Sequence, residues 1–274
     1  MRVDYNGRMA DVYDLGRSLN DTTVSRWMEV VAPHIPVGHQ AILDLGAGTG
    51  RFSSSLARRF GGPVIALEPA TAMRAHAIGR NEQGRVCHLA GSAQAIPIRA
   101  SSVRAAWASQ VLHHVEDLPA AGSELNRVLA PGGRLLVRGM YSDLPGQWPL
   151  VRFFPGLLRV GTTRFPSWSD IRSGLESGGL TLIASERVEQ VIAGGLRELH
   201  ERTRHRADSG LELLDDREFD EGLGALAEAA RSEAREPVRE RLDLFVFGGS
   251  TPGSSGRRAE TRTSSSDPRP PPEV

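Results

Sequence analysis

The chain has 274 residues, enough to bury one substantial α/β core with a cap over it, and its 33 basic residues balance its 33 acidic ones. Every basic residue is an arginine, which excludes lysine Schiff-base chemistry, including that of pyridoxal phosphate, and zero net charge without a basic stripe argues against nucleic acid as a partner. The single cysteine, Cys87, rules out an internal disulfide or a cysteine-rich zinc site, and no apolar run reaches a signal peptide or a membrane span, which predicts a soluble cytoplasmic protein.

Residues 1–40 precede the first strand and predict a helical lid. Its pieces are Asp11–Arg17 and Thr22–Ala32, with an N-cap at Asp21 or Thr22 and a stop at Pro33. Ala41–Leu45 is apolar apart from Asp44 and predicts a buried parallel strand. Gly46, Gly48 and Gly50 follow, and Arg51–Phe60 has helical spacing, so strand, glycine turn and helix open a doubly wound domain. Without Cβ atoms, Gly46 and Gly48 let the chain turn sharply and let a ligand lie on the main chain. Asp44, just before the turn, repels a pyrophosphate and suits a cation; alternatively, it orders the turn through backbone N–H groups.

Pro63–Leu67 predicts a second buried strand ending at Glu68, a carboxylate placed to accept both hydroxyls of a ribose. A helix over Thr71–Arg80 follows Pro69, and Arg85–Leu89 is the third strand, with Cys87 read as a buried core thiol. Ser102–Ser109 is the fourth strand, and Arg104 at its entry reads as structural. A helix over Asp117–Leu129 is broken at 130–133 before a fifth strand, Arg134–Met140. The first four strands end at Asp44, Glu68, Ser92 and Ser109–His114, so their ligand-bearing ends converge on one crevice.

In 141–166, Trp148, Phe153, Phe154 and Phe165 crowd among prolines and glycines without periodicity, which predicts a substrate cap. Trp168–Ser177 is a helix capped by Ser167 or Ser169, and Leu180–Val191 a sixth strand. Leu196–Leu214 and Glu218–Arg235 predict a helical insertion over 194–235, and Pro237–Phe247 a seventh strand lying antiparallel beside the sixth. Residues 249–274 have almost no apolar mass and predict a disordered tail. The expected fold over 41–248 is α/β, Rossmann-like: a seven-stranded, mostly parallel sheet with helices on both faces and an antiparallel last strand.

Asp44-Leu-Gly-Ala-Gly-Thr-Gly50, Glu68, Ser109-Gln-Val-Leu-His-His-Val115 and Leu129-Ala-Pro-Gly-Gly-Arg-Leu135 together resemble the class I S-adenosylmethionine-dependent methyltransferases. The resemblance covers roughly residues 1–190, and the most similar subgroup is the small-molecule enzymes of the ubiquinone and menaquinone biosynthesis type. It implies S-adenosylmethionine as cofactor. Tyr13 and Arg17, on one helical face, would reach the methionine carboxylate. Asp44, Gly46, Ala47, Gly48, Gly50, Glu68 and Pro69 would form the nucleoside cradle, with Met73 under the adenine. Ser92 stands where the family carries an acid for the adenine amino group, which predicts a weaker bond helped by Ala93 and Gln94. Ser109 and Gln110 complete the cofactor set.

The residues themselves place Tyr5, His114, Tyr141, Trp148, Phe153 and Phe154 on the acceptor side. Histidine titrates nearest neutral pH, so the candidate general bases beyond the fourth strand are His114 first and then His113, although the family often carries a structural His there and alignment alone would suffice for a phenolate or an amine. No metal is implied. The reading is methylation of O, N or C on a small, partly apolar molecule. Arginine without lysine, the habit of a GC-rich genome, and the aromatic cap point to natural-product (antibiotic) biosynthesis. Quinone-ring C-methylation and a non-catalytic S-adenosylmethionine-binding protein are the alternatives, and a homodimer is left open.

Overall fold

The computed structural model of the chain describes residues 3–79, 84–141, 143, 148–232 and 236–249. Its sheet is centred on β1 (Ala41–Leu45), whose five residues are all buried, as a run covered on both faces requires. β1 pairs in parallel with β2 (Val64–Leu67) and with β4 (Val103–Ser109), and β3 (Val86–Leu89) and β5 (Leu129–Gly139) extend the parallel set. β7 (Val238–Gly249) lies antiparallel between β5 and β6 (Leu180–Ala193), giving the seven-stranded order β3-β2-β1-β4-β5-β7-β6. The order reverses between β1 and β4, so a crevice opens beyond their carboxyl ends. This is the fold expected from the sequence.

Helices cover both faces. On one, α2 (Asp21–Val31) and α3 (Ser53–Phe60) pack Trp27, Met28 and Leu56 over Ile42, Trp107 and Val246. On the other, α5 (Leu118–Val128) and α7 (Trp168–Ser177) pack Leu125, Ile171 and Leu175 over Leu43, Leu135 and Phe247. α1 (Arg8–Arg17) lies against α4 (Thr71–Gly79) and α8 (Leu196–Thr203). α6 (Gly156–Arg164), α8, α9 (Ser209–Glu212) and α10 (Asp216–Ser232) share a separate core around Leu157, Leu199, Leu211 and Leu226.

Several local expectations are corrected. Asn20, not Asp21 or Thr22, caps α2 by accepting the Thr23 N–H at 2.7 Å. The helix expected over 196–214 is broken, because Arg206 takes φ +50° and Asp208 starts α9 by accepting the Gly210 N–H at 2.8 Å. The break expected at 130–133 lies inside β5 as a bulge: Leu129 pairs with Val103, and pairing resumes at Arg134 with Ala105. Cys87 is exposed rather than buried, because β3 is an edge strand. Arg104 is structural, its guanidinium donating to the carbonyls of Pro36, Phe60 and Gly61. The expected tail after 249 lies outside the described residues. Among the described residues no helix is long and apolar enough to cross a membrane.

Candidate active site

The turn after β1 is a glycine structure. Gly46 and Gly48 have φ of +63° and +57°, a region side chains disfavour. A Cβ on Gly46 would lie 2.2 Å from Val111 Cγ2, whereas one on Gly48 would meet nothing within 4 Å. The turn is thus pressed against the loop after β4 at its first glycine and leaves open space above its second. Glu68 closes it from β2: Oε2 accepts the Gly48 N–H and Oε1 accepts the Ala70 N–H, each at 2.9 Å. Burial raises the Glu68 pKa, and these two bonds work against the rise.

Beside the turn, at the carboxyl ends of the strands, opens a crevice of about 690 Å³. Of the residues expected to hold a cofactor, Gly46, Pro69, Ser92, Ala93 and Gln94 line it, and of those expected near an acceptor, Tyr5 and His114 do. The others sit elsewhere. Asp44 is 3% exposed and turns away from the crevice, its Oδ2 accepting the Ser53 hydroxyl at 2.6 Å. It therefore orders the strand–helix junction, and burial pushes its pKa up to about 7. Ala47 and Gly50 belong to the turn itself, with Gly50 backed by Ala77 of α4. Met73 is corrected: it is buried among Ala10, Ala70 and Tyr13, off the crevice wall.

A second cavity, of about 140 Å³, adjoins the first. His113, Phe165 and Pro166 line both, so they form the partition between them. Tyr141 and Trp148, expected to face the acceptor, line this cavity with Met140, Leu157 and Gln110. Phe153 and Phe154 are corrected. They are core residues of the helical insertion, with Phe154 1% exposed and stacked 5.8 Å from Phe219.

The two histidines occupy different places. His114 lines only the large crevice, its Nε2 3.0 Å from the Tyr5 hydroxyl, while His113 sits on the partition. Burial, then His114 and Arg17, push the His113 pKa well below its ordinary value, so the imidazole is neutral at physiological pH. The rings of His113 and His114 lie 3.9 Å apart, and Tyr13 stands edge-on to Tyr5 at 6.4 Å.

A third, small cavity of about 50 Å³ continues from the second through Arg17, Gln110, Trp148, Asp208 and Glu240. Arg17 donates to Asp208 at 2.7 Å, a partner within the chain. Gln110 takes φ +55° as β4 ends, and Ser109 accepts from Arg138 at 3.0 Å. Arg51, Arg138, Asp208 and Glu240 are residues the sequence reading passed over. For Arg138 a signal existed, a charge at the end of the buried run Leu135-Leu136-Val137. The other three carry none.

Comparison with known proteins agrees with this geometry. Residues 43–137 match a family model described as a methyltransferase domain. The chain is 32% identical over 158 residues to the malonyl-[acyl-carrier protein] O-methyltransferase of Erwinia pyrifoliae, covering 54% of this chain and 58% of that protein. It is 29% identical over 200 residues to the biotin biosynthesis bifunctional protein BioHC of Cellvibrio japonicus, covering 70% of this chain and 38% of that protein. The chain thus spans about half the length of the curated relatives it matches. Among solved structures it resembles a protein of Anabaena variabilis described as a methyltransferase from an antibiotic biosynthesis pathway, with TM-score 0.63 and 21% identity over 82% of this chain and 99% of that one. It also resembles the [4+2]-cyclase SpnF, with TM-score 0.55 and 20% identity over 85% of this chain and 83% of that one. At such identities the likeness carries the fold and not the reaction.

Proposed function

The chain carries a class I S-adenosylmethionine-dependent methyltransferase domain, and from that premise we propose that it methylates O, N or C of a small, partly apolar acceptor in natural-product biosynthesis. One observation carries this reading: the crevice and the second cavity meet at a partition of His113, Phe165 and Pro166. A nucleoside in one chamber and an acceptor in the other would face each other there.

The residues fit the cofactor. The main chain at Gly48 is open where a Cβ would stand, the crevice lies at the strand ends, and Glu68 stands between its lining residues Leu67 and Pro69. S-Adenosylmethionine supplies an activated methyl group on a sulfonium, so the protein's task is alignment. Ser92, Ala93 and Gln94 would take the adenine and Glu68 the ribose. The second cavity, walled by Met140, Tyr141, Trp148, Leu157 and Phe165 with Arg17, Asp208 and Glu240 where it meets the third, would orient the acceptor, and neutral His113 could accept the proton of an acceptor hydroxyl or amine. The natural-product setting is supported by the description of the Anabaena protein, and O-methylation by that of the Erwinia relative.

SpnF, described as a cyclase, is a reason to test methyl transfer directly. The protein is incubated with S-adenosylmethionine carrying a labelled methyl and with a metabolite extract of its source organism. Label should enter a small molecule, and S-adenosylhomocysteine should bind in calorimetry. Binding without transfer would leave a cofactor-binding protein of another activity, and absence of both would remove the reading.

A further inference from the structure

The 50 Å³ cavity beyond the second chamber is lined by four arginines, Arg17, Arg51, Arg138 and Arg202, against two acids, Asp208 and Glu240. Arg202 is paired outside the cavity with Glu198 at 3.6 Å, so the charge without a direct carboxylate contact sits on Arg51 and Arg138, and buried charge of that kind is costly unless an anion answers it. The acids are already committed: Asp208 to Arg17 at 2.7 Å, and Glu240 to the Gln190 amide. Arg51 donates to the Arg17 carbonyl, and Asp14 and Asp44 answer its charge only from a distance, without a direct contact to it among the described residues. Arg138 reaches only neutral oxygens, Ser109 Oγ at 3.0 Å and Gln190 Oε1 at 2.8 Å. The Nε atoms of both Arg51 and Arg138 are buried without a hydrogen-bond partner. A guanidinium has five N–H donors, so both retain unused ones.

We propose that Arg51 and Arg138, supported by Arg17 and Arg202, hold a carboxylate of the methyl acceptor, whose apolar body fills the adjoining cavity. The proposal rests on the methyltransferase reading above and names its substrate class: an apolar acid that carries its anion at the end remote from the partition. The geometry supports each part. The two cavities are continuous through Gln110, Trp148 and Arg17. A volume of about 50 Å³ suits a carboxylate, since roughly 10–15 Å³ on that measure holds a water. A planar fork grips a carboxylate at two points. Burial, then Arg51, push the Arg138 pKa down to about 9, although Glu240 works against the fall.

The test uses the full chain saturated with S-adenosylhomocysteine and a pair of probes equal in shape, phenylacetate and phenylacetamide. Calorimetry should detect phenylacetate at least tenfold more tightly bound than the amide, with S-adenosylhomocysteine still bound. Arg51→Gln should erase the difference and leave S-adenosylhomocysteine affinity within twofold of the parent. Should a variant fail to fold, the comparison of acid and amide on the unaltered chain still decides. Equal binding of the two probes, or binding of neither, overturns the proposal. So does competition between phenylacetate and S-adenosylhomocysteine, which would give the arginines to the cofactor's own carboxylate. Phenylacetate binding to a chain that ignores S-adenosylhomocysteine would instead strike the methyltransferase reading and leave the anion pocket standing.

Discussion

The Tyr5 hydroxyl lies 3.0 Å from Nε2 of His114, tying the segment before α1 to the loop beyond β4 across the mouth of the large crevice. Burial, reinforced by Tyr13, raises the Tyr5 pKa, so the phenol stays protonated at any working pH. Tyr5→Phe keeps the ring and removes the bond. A part-buried neutral hydrogen bond contributes about 1 kcal/mol, so S-adenosylhomocysteine should bind about fivefold more weakly with little change in melting temperature. Unchanged affinity in calorimetry would show that this contact does not close the crevice over a ligand.

Glu68 uses both carboxylate oxygens on the glycine turn and its neighbour, so its removal acts on the loop as well as on a ribose. Glu68→Ala should weaken S-adenosylhomocysteine binding by about 1.5–3 kcal/mol, the range for a charge-assisted hydrogen bond. Glu68→Gln keeps one acceptor and should fall between the two. NAD should not compete with S-adenosylhomocysteine in either protein. Parent-like calorimetric affinity in Glu68→Ala would take this carboxylate out of the site.

Asp44 gives a pH test whose sign is fixed. Its folded pKa, about 7, stands above the ordinary 3.8, so the native state holds a proton that the unfolded chain releases. The stability this contributes is complete below about pH 4 and is lost as pH rises through 7. Between pH 6 and 8 the ligand-free protein should lose about 1.4 kcal/mol from this group, and Asp44→Asn, which mimics the protonated form, should not. Urea melts of both proteins at the two pH values measure the difference. Parallel pH slopes would mean that Asp44 is ionised in the fold.

What the chain showed in advance was local. The run Ala41–Leu45, the glycines after it, Pro69 and the segment Ser92–Gln94 are turn and burial signals carried by adjacent residues, and of these Leu45, Gly46, Pro69 and Ser92–Gln94 line the crevice. What stayed hidden was partnership at a distance. Arg17 meets Asp208 across 191 positions, and no local pattern marks Asp208 as its partner. Phe153 and Phe154 read as cap residues because an aromatic in an aperiodic stretch looks alike whether it lines a pocket or packs on Phe219 of a helix not yet placed. Arg138 and Arg51 meet only when β5 and the turn before α3 are brought against α8 and β7.

Gly46 and Val111 form a pair that mutation can separate. A methyl at Gly46 would stand 2.2 Å from Val111 Cγ2 on backbone already at φ +63°. Gly46→Ala should destabilise by about 2 kcal/mol or more, from left-handed strain and overpacking together. Adding Val111→Ala should relieve the Cγ2 clash, leaving the strain and the Val111 Cβ at 2.9 Å, so the double mutant should be more stable than the sum of the singles predicts. Strict additivity in denaturant melts would place the turn out of contact with the loop after β4.

His113 is the residue on which the proton-transfer part of the proposed reaction turns. Its burial keeps the imidazole neutral, and its charged form is further opposed by His114 and Arg17. With an acceptor identified by the labelled screen, kcat/KM should therefore stay flat from about pH 6.5 to 8, with no His113 break near 6.5, and fall only in more acid solution. His113→Ala should cost about 10²–10⁴ in kcat if the ring takes the acceptor's proton. His114→Ala should act mainly on cofactor affinity, through the lost Tyr5 bond. The stability sign follows too. The depressed folded pKa contributes stability that is present above 6.5 and lost as pH falls through that depressed value, and His113→Gln should flatten that slope. Full turnover in His113→Ala would assign the partition to alignment alone and leave deprotonation to the acceptor's own chemistry.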